Sequence, residues 1–309
     1  MEISFSKAAI GMPNQYLLTL LAKAWDTDRA LAFLAAAESQ GLTLKAEEAR
    51  PLAGTGVWMQ RAWASSGAAL GVESLEKLRE AAENASLDMF VEPEALYRTP
   101  RRLFVFDMDS TLIQAEIVDE LAGLAGVKDE VSAITAAAMR GEIDFATSLT
   151  QRVSLLQGIR EEQIDQLQAR IAMGEGLERL MDGLHSAGCK TAILSGGFGF
   201  FGRYIQKRLG FDYLYANELE IDDGAFTGRL ATAIVDGKRK AAGLREIAER
   251  EGIPLQQVVA AGDGANDLPM LALAGTGVAY HAKPIVRATA AFRLNYCGLD
   301  ALLHMLNRD

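Results

Sequence analysis

The chain has 309 residues, enough for two domains and a sizeable core. Half are apolar and 23% charged, as in ordinary globular proteins, and 31 basic against 41 acidic residues give a net charge of −10. That balance argues against a nucleic-acid or anionic-membrane surface, and two cysteines (Cys189 and Cys297) with three scattered histidines exclude a disulfide framework or a zinc finger.

The opening MEISFSKAAIGMPNQ has no uninterrupted apolar core, and no stretch approaches 18 consecutive apolar residues. The expectation is a cytoplasmic protein with no membrane partner. YLLTLLA reads as a strand. DTDRALAFLAAAESQG reads as a helix with an acidic cap, closing on Gly41. LTLKAEEARPL and GVWMQRAWA are strand candidates, SLEKLREAAENAS is a helix opened by Ser74, and LDMFV is a closing strand. The order β-α-β-β-α-β fits a ferredoxin-like α+β unit over residues 1–92. VEPEALYRTPRR, with two prolines and no periodicity, reads as a linker centred on 93–101.

From residue 102 to 309 the pattern changes. LFVFD is a strand, and residues 115–187 are almost wholly helical by periodicity. KTAILS is a strand followed by a helix through GFFGRYIQKRLG, and Asp223-Gly224 is a hairpin signal. KRKAAGLREIAEREG is a helix, and VVAAGD, GVAYH and FRLNY are short strands. Strands alternating with helices predict a doubly wound parallel α/β sheet. The helical block after the first strand is too long for one crossover, so it is expected to be a helical cap inserted at about 115–180.

Three apolar strands end in polar clusters: Asp107-Met108-Asp109-Ser110-Thr111, Ser195-Gly196-Gly197 and Asp263-Gly264-Ala265-Asn266-Asp267. In an open parallel sheet, ligands bind beyond the carboxyl ends of the strands, so these clusters are expected to converge. Asp107, Asp109, Asp263 and Asp267 would repel one another without a hard cation, and an oxygen-only donor set suits Mg²⁺. A carboxylate beside Mg²⁺ can attack phosphorus to give an aspartyl-phosphate. A hydroxyl, glycine amides and a lysine from Lys238-Arg239-Lys240 are the groups that hold and neutralise phosphoryl oxygens.

DMDST, the SGG after a strand, a downstream lysine and GDGAND together resemble the haloacid-dehalogenase-like phosphatase superfamily, and within it the phosphoserine phosphatase family, over roughly residues 100–300. The resemblance implies a Mg²⁺-dependent hydrolysis of O-phosphoserine to serine and phosphate through an aspartyl-phosphate, the last step of serine biosynthesis. It implies that Asp107 is the nucleophile and a metal ligand. Asp109 is then the general acid and later the base, with its main-chain carbonyl on the metal. Asp263 completes the protein ligation, Ser195 and Gly196 bind phosphoryl oxygens, and Lys240 neutralises phosphate and nucleophile. Asn266 and Asp267 orient phosphate and metal waters.

The resemblance extends into the cap, where it implies that Glu116 meets the substrate ammonium and Arg152 clamps its carboxylate, with Met139 and Phe145 lining the lid. Independently, Phe145 and Arg152 are seven residues apart, on one face of a helix. Each could also be ordinary: a solvated arginine, an apolar core residue, a helix-end glutamate. The N-terminal unit resembles the ACT domains, and a homodimer through it is a further expectation. The competing functions are phosphoryl transfer to another small alcohol and an amino-acid-binding regulatory protein.

Overall fold

A computed structural model describes residues 15–306; most of the stretch read for a signal core, residues 1–14, and the last three residues lie outside the described region. The first unit runs β1 (Gln15–Ala22), α1 (Thr27–Ser39), β2 (Leu42–Ala46), β3 (Arg50–Pro51), β4 (Trp58–Ser66), α2 (Val72–Asn84) and β5 (Asp88–Pro93). Its antiparallel sheet has the order β2-β4-β1-β5, with the two-residue β3 also paired to β4. Asp26 caps α1 as expected, its carboxylate accepting from the Asp28 and Arg29 amides at 3.1 Å. α2 starts before the expected Ser74: its N-cap is Gly71, which has no side chain to cap with.

β1 is buried from Tyr16 to Ala22 and apolar there except for Thr19, because both of its faces are covered. Leu18 and Leu20 pack with Phe33 and Ala37 of α1 and Leu75 and Leu78 of α2. Leu21 points the other way and joins Met59, Phe90 and Phe104 in a different cluster, shared with the following unit. The stretch read as a linker is ordered: it contains the end of β5 and α3 (Glu94–Tyr97), and Arg101 pairs with Glu92 at 2.8 Å, both buried. Its prolines and charges mimic a loose connection, but they fix a turn and an internal ion pair.

The second unit holds a six-stranded parallel sheet. Its strands are β6 (Leu103–Phe106), β7 (Lys190–Phe198), β8 (Tyr213–Asn217), β11 (Val258–Gly262), β12 (Thr276–Tyr280) and β13 (Phe292–Leu294), in the order β13-β12-β11-β6-β7-β8. Alternate residues of β6 face two layers. Phe104 and Phe106 meet the side containing α8 (Leu177–Ser186) and α9 (Gly199–Leu209). Leu103 and Val105 meet α10 (Gly237–Arg250), α11 (Leu268–Leu273) and α12 (Pro284–Thr289). This is the doubly wound arrangement.

α4 (Ile117–Ala125), α5 (Lys128–Met139), α6 (Phe145–Ser154) and α7 (Glu161–Gln168) form the inserted cap. Its two chain crossings lie side by side: Gln114 N donates to Ala172 O at 2.9 Å and Gly174 N to Leu112 O at 2.7 Å. The insertion therefore closes near residue 172, and α8 belongs to the sheet's helical layer, eight residues inside the expected end at 180. The hairpin of β9 (Leu219–Asp222) and β10 (Ala225–Leu230) is tied to the cap through Gly158 N to Phe226 O at 2.8 Å and Phe226 N to Ile159 O at 2.9 Å. Sequence finds this hairpin but not its place, because the contact joins segments some 70 residues apart.

Candidate active site

The three polar clusters sit at the carboxyl ends of adjacent strands, β11, β6 and β7, at the centre of the sheet. Asp107 follows β6 directly and is buried; its amide continues the sheet by donating to Ala261 O at 3.0 Å. The chain then turns sharply, with Ser110 in the left-handed region (φ 56°), and Thr111 and Leu112 amides both return to Met108 O. Ser110 Oγ donates to Glu116 Oε1 at 3.0 Å, which fixes the glutamate that immediately precedes α4, the first helix of the cap.

Lys240 is fully buried, and its Nζ bridges Asp107 Oδ1 at 2.6 Å and Asp267 Oδ1 at 2.7 Å. Burial opposes its charge, but Asp107 and Asp267 outweigh burial and hold its pKa above the usual lysine value. α10 delivers this side chain because Asp236 caps its start, accepting from Arg239 N at 2.8 Å. Lys238 is exposed on the same helix, and Arg239 pairs with Glu246 at 2.6 Å and lies over the Tyr215 ring, so neither enters the cluster.

Carboxylate oxygens of Asp107, Asp263 and Asp267 all lie within 4.8 Å of one another. At an effective dielectric of ~20, each pair of charges at that range repels by about 3–4 kcal/mol. Burial and the neighbouring Asp107 charge accordingly push Asp263 up to about 6 and Asp267 up to about 7. Asp109 is raised well above the usual carboxylate range, by burial first and then by Glu116 and Asp107. One buried ammonium does not neutralise this set, and its hard oxygens suit a small divalent cation.

Glycines bring the other two clusters close. A Cβ on Gly197 would meet Asp109 Oδ2 at 2.4 Å, and one on Gly262 would meet Asp267 Oδ2 at 2.4 Å. Ser195 is buried and its Oγ accepts from Gly197 N at 2.8 Å. Gly196 lies between cap and core: a Cβ there would be 3.0 Å from Phe145 Cζ and 3.7 Å from Asn266 Nδ2. Phe145 thus covers the Ser195-Gly196 turn from the first residue of α6.

Arg152, half-buried on α6, carries a guanidinium on which Glu116, Asp119 and Asp109 act, although desolvation leaves its pKa below the ordinary arginine value. Its Nε donates to Ser148 O at 3.3 Å. Met139 is different. It ends α5 with 75% of its surface exposed, so it lines no lid here.

Two contributors escape the sequence reading. Buried Asn217 donates to Gly196 O at 2.7 Å and accepts from Val235 N at 2.7 Å, tying the Ser195-Gly196 turn to the approach to α10. Lys283 places its Nζ 3.3 Å from Asp263 Oδ2 and 3.8 Å from Glu116 Oε1; in sequence it is one exposed lysine before a proline.

Residues 104–272 match the haloacid dehalogenase-like hydrolase family. The chain belongs to that family. Among curated relatives of this hydrolase is the phosphoserine phosphatase of Archaeoglobus fulgidus, 45% identical over 236 residues, covering 75% of this chain and 69% of the relative. A family hydrolase from Salmonella enterica serovar Typhi superposes with a TM-score of 0.86 at 32% identity, covering 94% of this chain and 98% of its own. A phospho-aspartyl intermediate analogue of phosphoserine phosphatase matches with a TM-score of 0.62 at 40% identity, over 66% of this chain and 98% of that one. Among the described residues, no helix is long and apolar enough to cross a membrane.

Proposed function

We propose that this hydrolase is a phosphoserine phosphatase, cleaving O-phosphoserine to serine and phosphate through a phosphorylated Asp107. The observation that carries the reading is the pair Asp107 and Asp109 at the end of β6: one carboxylate paired with the Lys240 ammonium at 2.6 Å, the other pushed well above the usual carboxylate range by burial and its neighbours. That is a nucleophile beside a general acid.

Asp107 Oδ attacks phosphorus as the ester P–O bond breaks, and Asp109 gives its proton to the departing serine oxygen. Water then attacks the aspartyl-phosphate, losing its proton to Asp109 and returning Asp107 as a carboxylate. Lys240 stays against Asp107 and faces the phosphoryl charge, and the Ser195–Gly197 turn offers a hydroxyl and backbone amides to phosphoryl oxygens.

Asp107, Asp263 and Asp267 would hold Mg²⁺, with the Asp109 carbonyl as the further ligand that the family resemblance implies. When bound, the ion neutralises the gathered carboxylates and polarises the phosphoryl group. Glu116 at the lid's base and Arg152 on α6 supply one acid and one base, which match the ammonium and carboxylate of an amino-acid phosphate. Phe145 over Gly196 shields the reacting atoms from water.

The test is phosphate release from a panel of small phosphomonoesters, with Mg²⁺ and with chelator. O-Phosphoserine is expected to lead glycerol phosphate and sugar phosphates, and chelation to stop turnover. A flat profile across the panel removes the substrate assignment, and activity undiminished by chelator removes the metal.

A further inference from the structure

Lys283 has no part in the chemistry above, yet it is built into the site. Its amide donates to Asp263 O at 3.0 Å, and it caps the start of α12. The turn before it is held on both sides: His281 adopts a left-handed conformation (φ 42°), its amide donates to Leu294 O at 2.9 Å, and its ring nitrogen lies 3.2 Å from Cys297 O. The backbone is thus pinned, and the side chain reaches across the mouth from the core's Asp263 to the cap's Glu116.

Two lysines face the carboxylates, and their freedom differs. Lys240 is sealed, with no exposed side-chain surface. Lys283 keeps 49% of its side chain exposed and Glu116 keeps 41%, so this second pair can separate and re-form in water at little cost.

We propose that Lys283 is a specificity-determining positioning residue: its ammonium occupies Glu116 in the free enzyme and yields that carboxylate only to a ligand bringing its own ammonium. The inference rests on the phosphoserine reading of the same site. A cationic substrate displaces Lys283 from Glu116, and the lysine turns to solvent, where half of its side chain already lies. A phosphate ester without an ammonium leaves the pair intact and meets a neutralised glutamate. Lys283 therefore moderates the preference for amino-acid phosphates: it competes with their ammonium and spares other esters from a bare carboxylate. Stripped of the lysine charge, the site would discriminate more sharply.

The experiment compares O-phospho-L-serine with 3-phosphoglycerate, which has a hydroxyl in place of the ammonium, under steady-state conditions with Mg²⁺. Lys283→Met is expected to lower KM for phosphoserine and raise it for phosphoglycerate, widening the kcat/KM ratio by about fivefold, the scale of one partly exposed ion pair. The kcat for phosphoserine should hold within about twofold, while Lys283→Arg, which keeps the charge, should retain the native ratio. Equal rises in KM for both esters would make Lys283 a general attractor of phosphate, and an unchanged ratio would make it a surface charge; either overturns the proposal. Lys283→Met failing to fold would leave Lys283→Gln as the same test, its folding checked by circular dichroism. A native chain that does not hydrolyse phosphoserine removes the functional reading itself, and this inference with it.

Discussion

Two groups of buried carboxylates hold this molecule together and set it to work, and they are satisfied in opposite ways. Asp88, at the start of β5, is 1% exposed and accepts backbone amides of Asn295 at 2.5 Å, Tyr296 at 3.1 Å and Cys297 at 2.8 Å. Three amides replace the water it loses, although burial still pushes its pKa upward. Beyond the ends of β6 and β11, Asp107, Asp263 and Asp267 are also deeply buried but face one another, with Lys240 between two of them. A carboxylate met by amides is complete and rigid. A cluster met mainly by other carboxylates remains short of positive charge, and that shortage can be used to bind cations and transfer phosphate.

The difference is sharpest under neutralisation of one charge at a time. Asp107→Asn should lower turnover by on the order of 10⁴–10⁶-fold, since it removes the proposed nucleophile. It should not lower stability in chelator, because Lys240 keeps Asp267 at 2.7 Å and the cluster loses one repelling charge. Steady-state kinetics and thermal unfolding of the same variant check both halves. A large fall in melting temperature would place Asp107 with Asp88 as a structural carboxylate.

Asp88→Ala should show the converse. Three amides lose their acceptor between the two units, at a cost of about 2–4 kcal/mol. Neighbouring contacts share the junction and limit the loss: Arg79 Nη2 donates to Ala291 O at 2.8 Å, Arg61 Nη2 to His304 O at 3.1 Å, and Phe90 stacks on Phe292 at 5.2 Å. Denaturant unfolding reads the loss, and kcat at a temperature where the variant is folded should stay within about threefold of native. A larger fall in kcat would tie the junction to the chemistry, for which a route exists through Cys297 O, His281 and the turn bearing Lys283.

The two groups were not equally legible. The active-site carboxylates follow apolar strands of adjacent position, and a charge that interrupts a buried run is visible without coordinates; hence Asp107, Asp263 and the Ser195 turn could be found together. Asp88 is the second residue of LDMFV and nothing in that stretch marks it out, because its partners are 207 to 209 residues away. Lys283 was hidden for the same reason, its contacts lying in two other segments. Met139 shows the opposite failure. Carried over from a family pattern, it ends a helix pointing into solvent, where helical periodicity has no control over side-chain direction. Local signals identified elements and strand-end chemistry, and long-range pairing settled how cap, hairpin and first unit were attached.

The smallest expected effect tests the charge shortage by pH. Carboxyls titrate near 3.9 in an unfolded chain, whereas Asp263 and Asp267 are raised to about 6 and about 7 in the fold. Between about pH 4 and pH 7 the folded state therefore holds more protons than the unfolded one, so raising the pH favours unfolding at these two sites. Their contribution to stability is present at low pH and lost as the pH rises through the folded values. A divalent cation reverses the sign locally, since it binds the deprotonated carboxylates and competes with protons. The gap in melting temperature between Mg²⁺ and chelator should accordingly widen by a few degrees from pH 5 to pH 7.5. Asp88, with amides and no cation site, should contribute nothing to that gap, so its alanine variant should widen it as the native chain does. A gap independent of pH would mean that the three strand-end carboxylates do not share one ion.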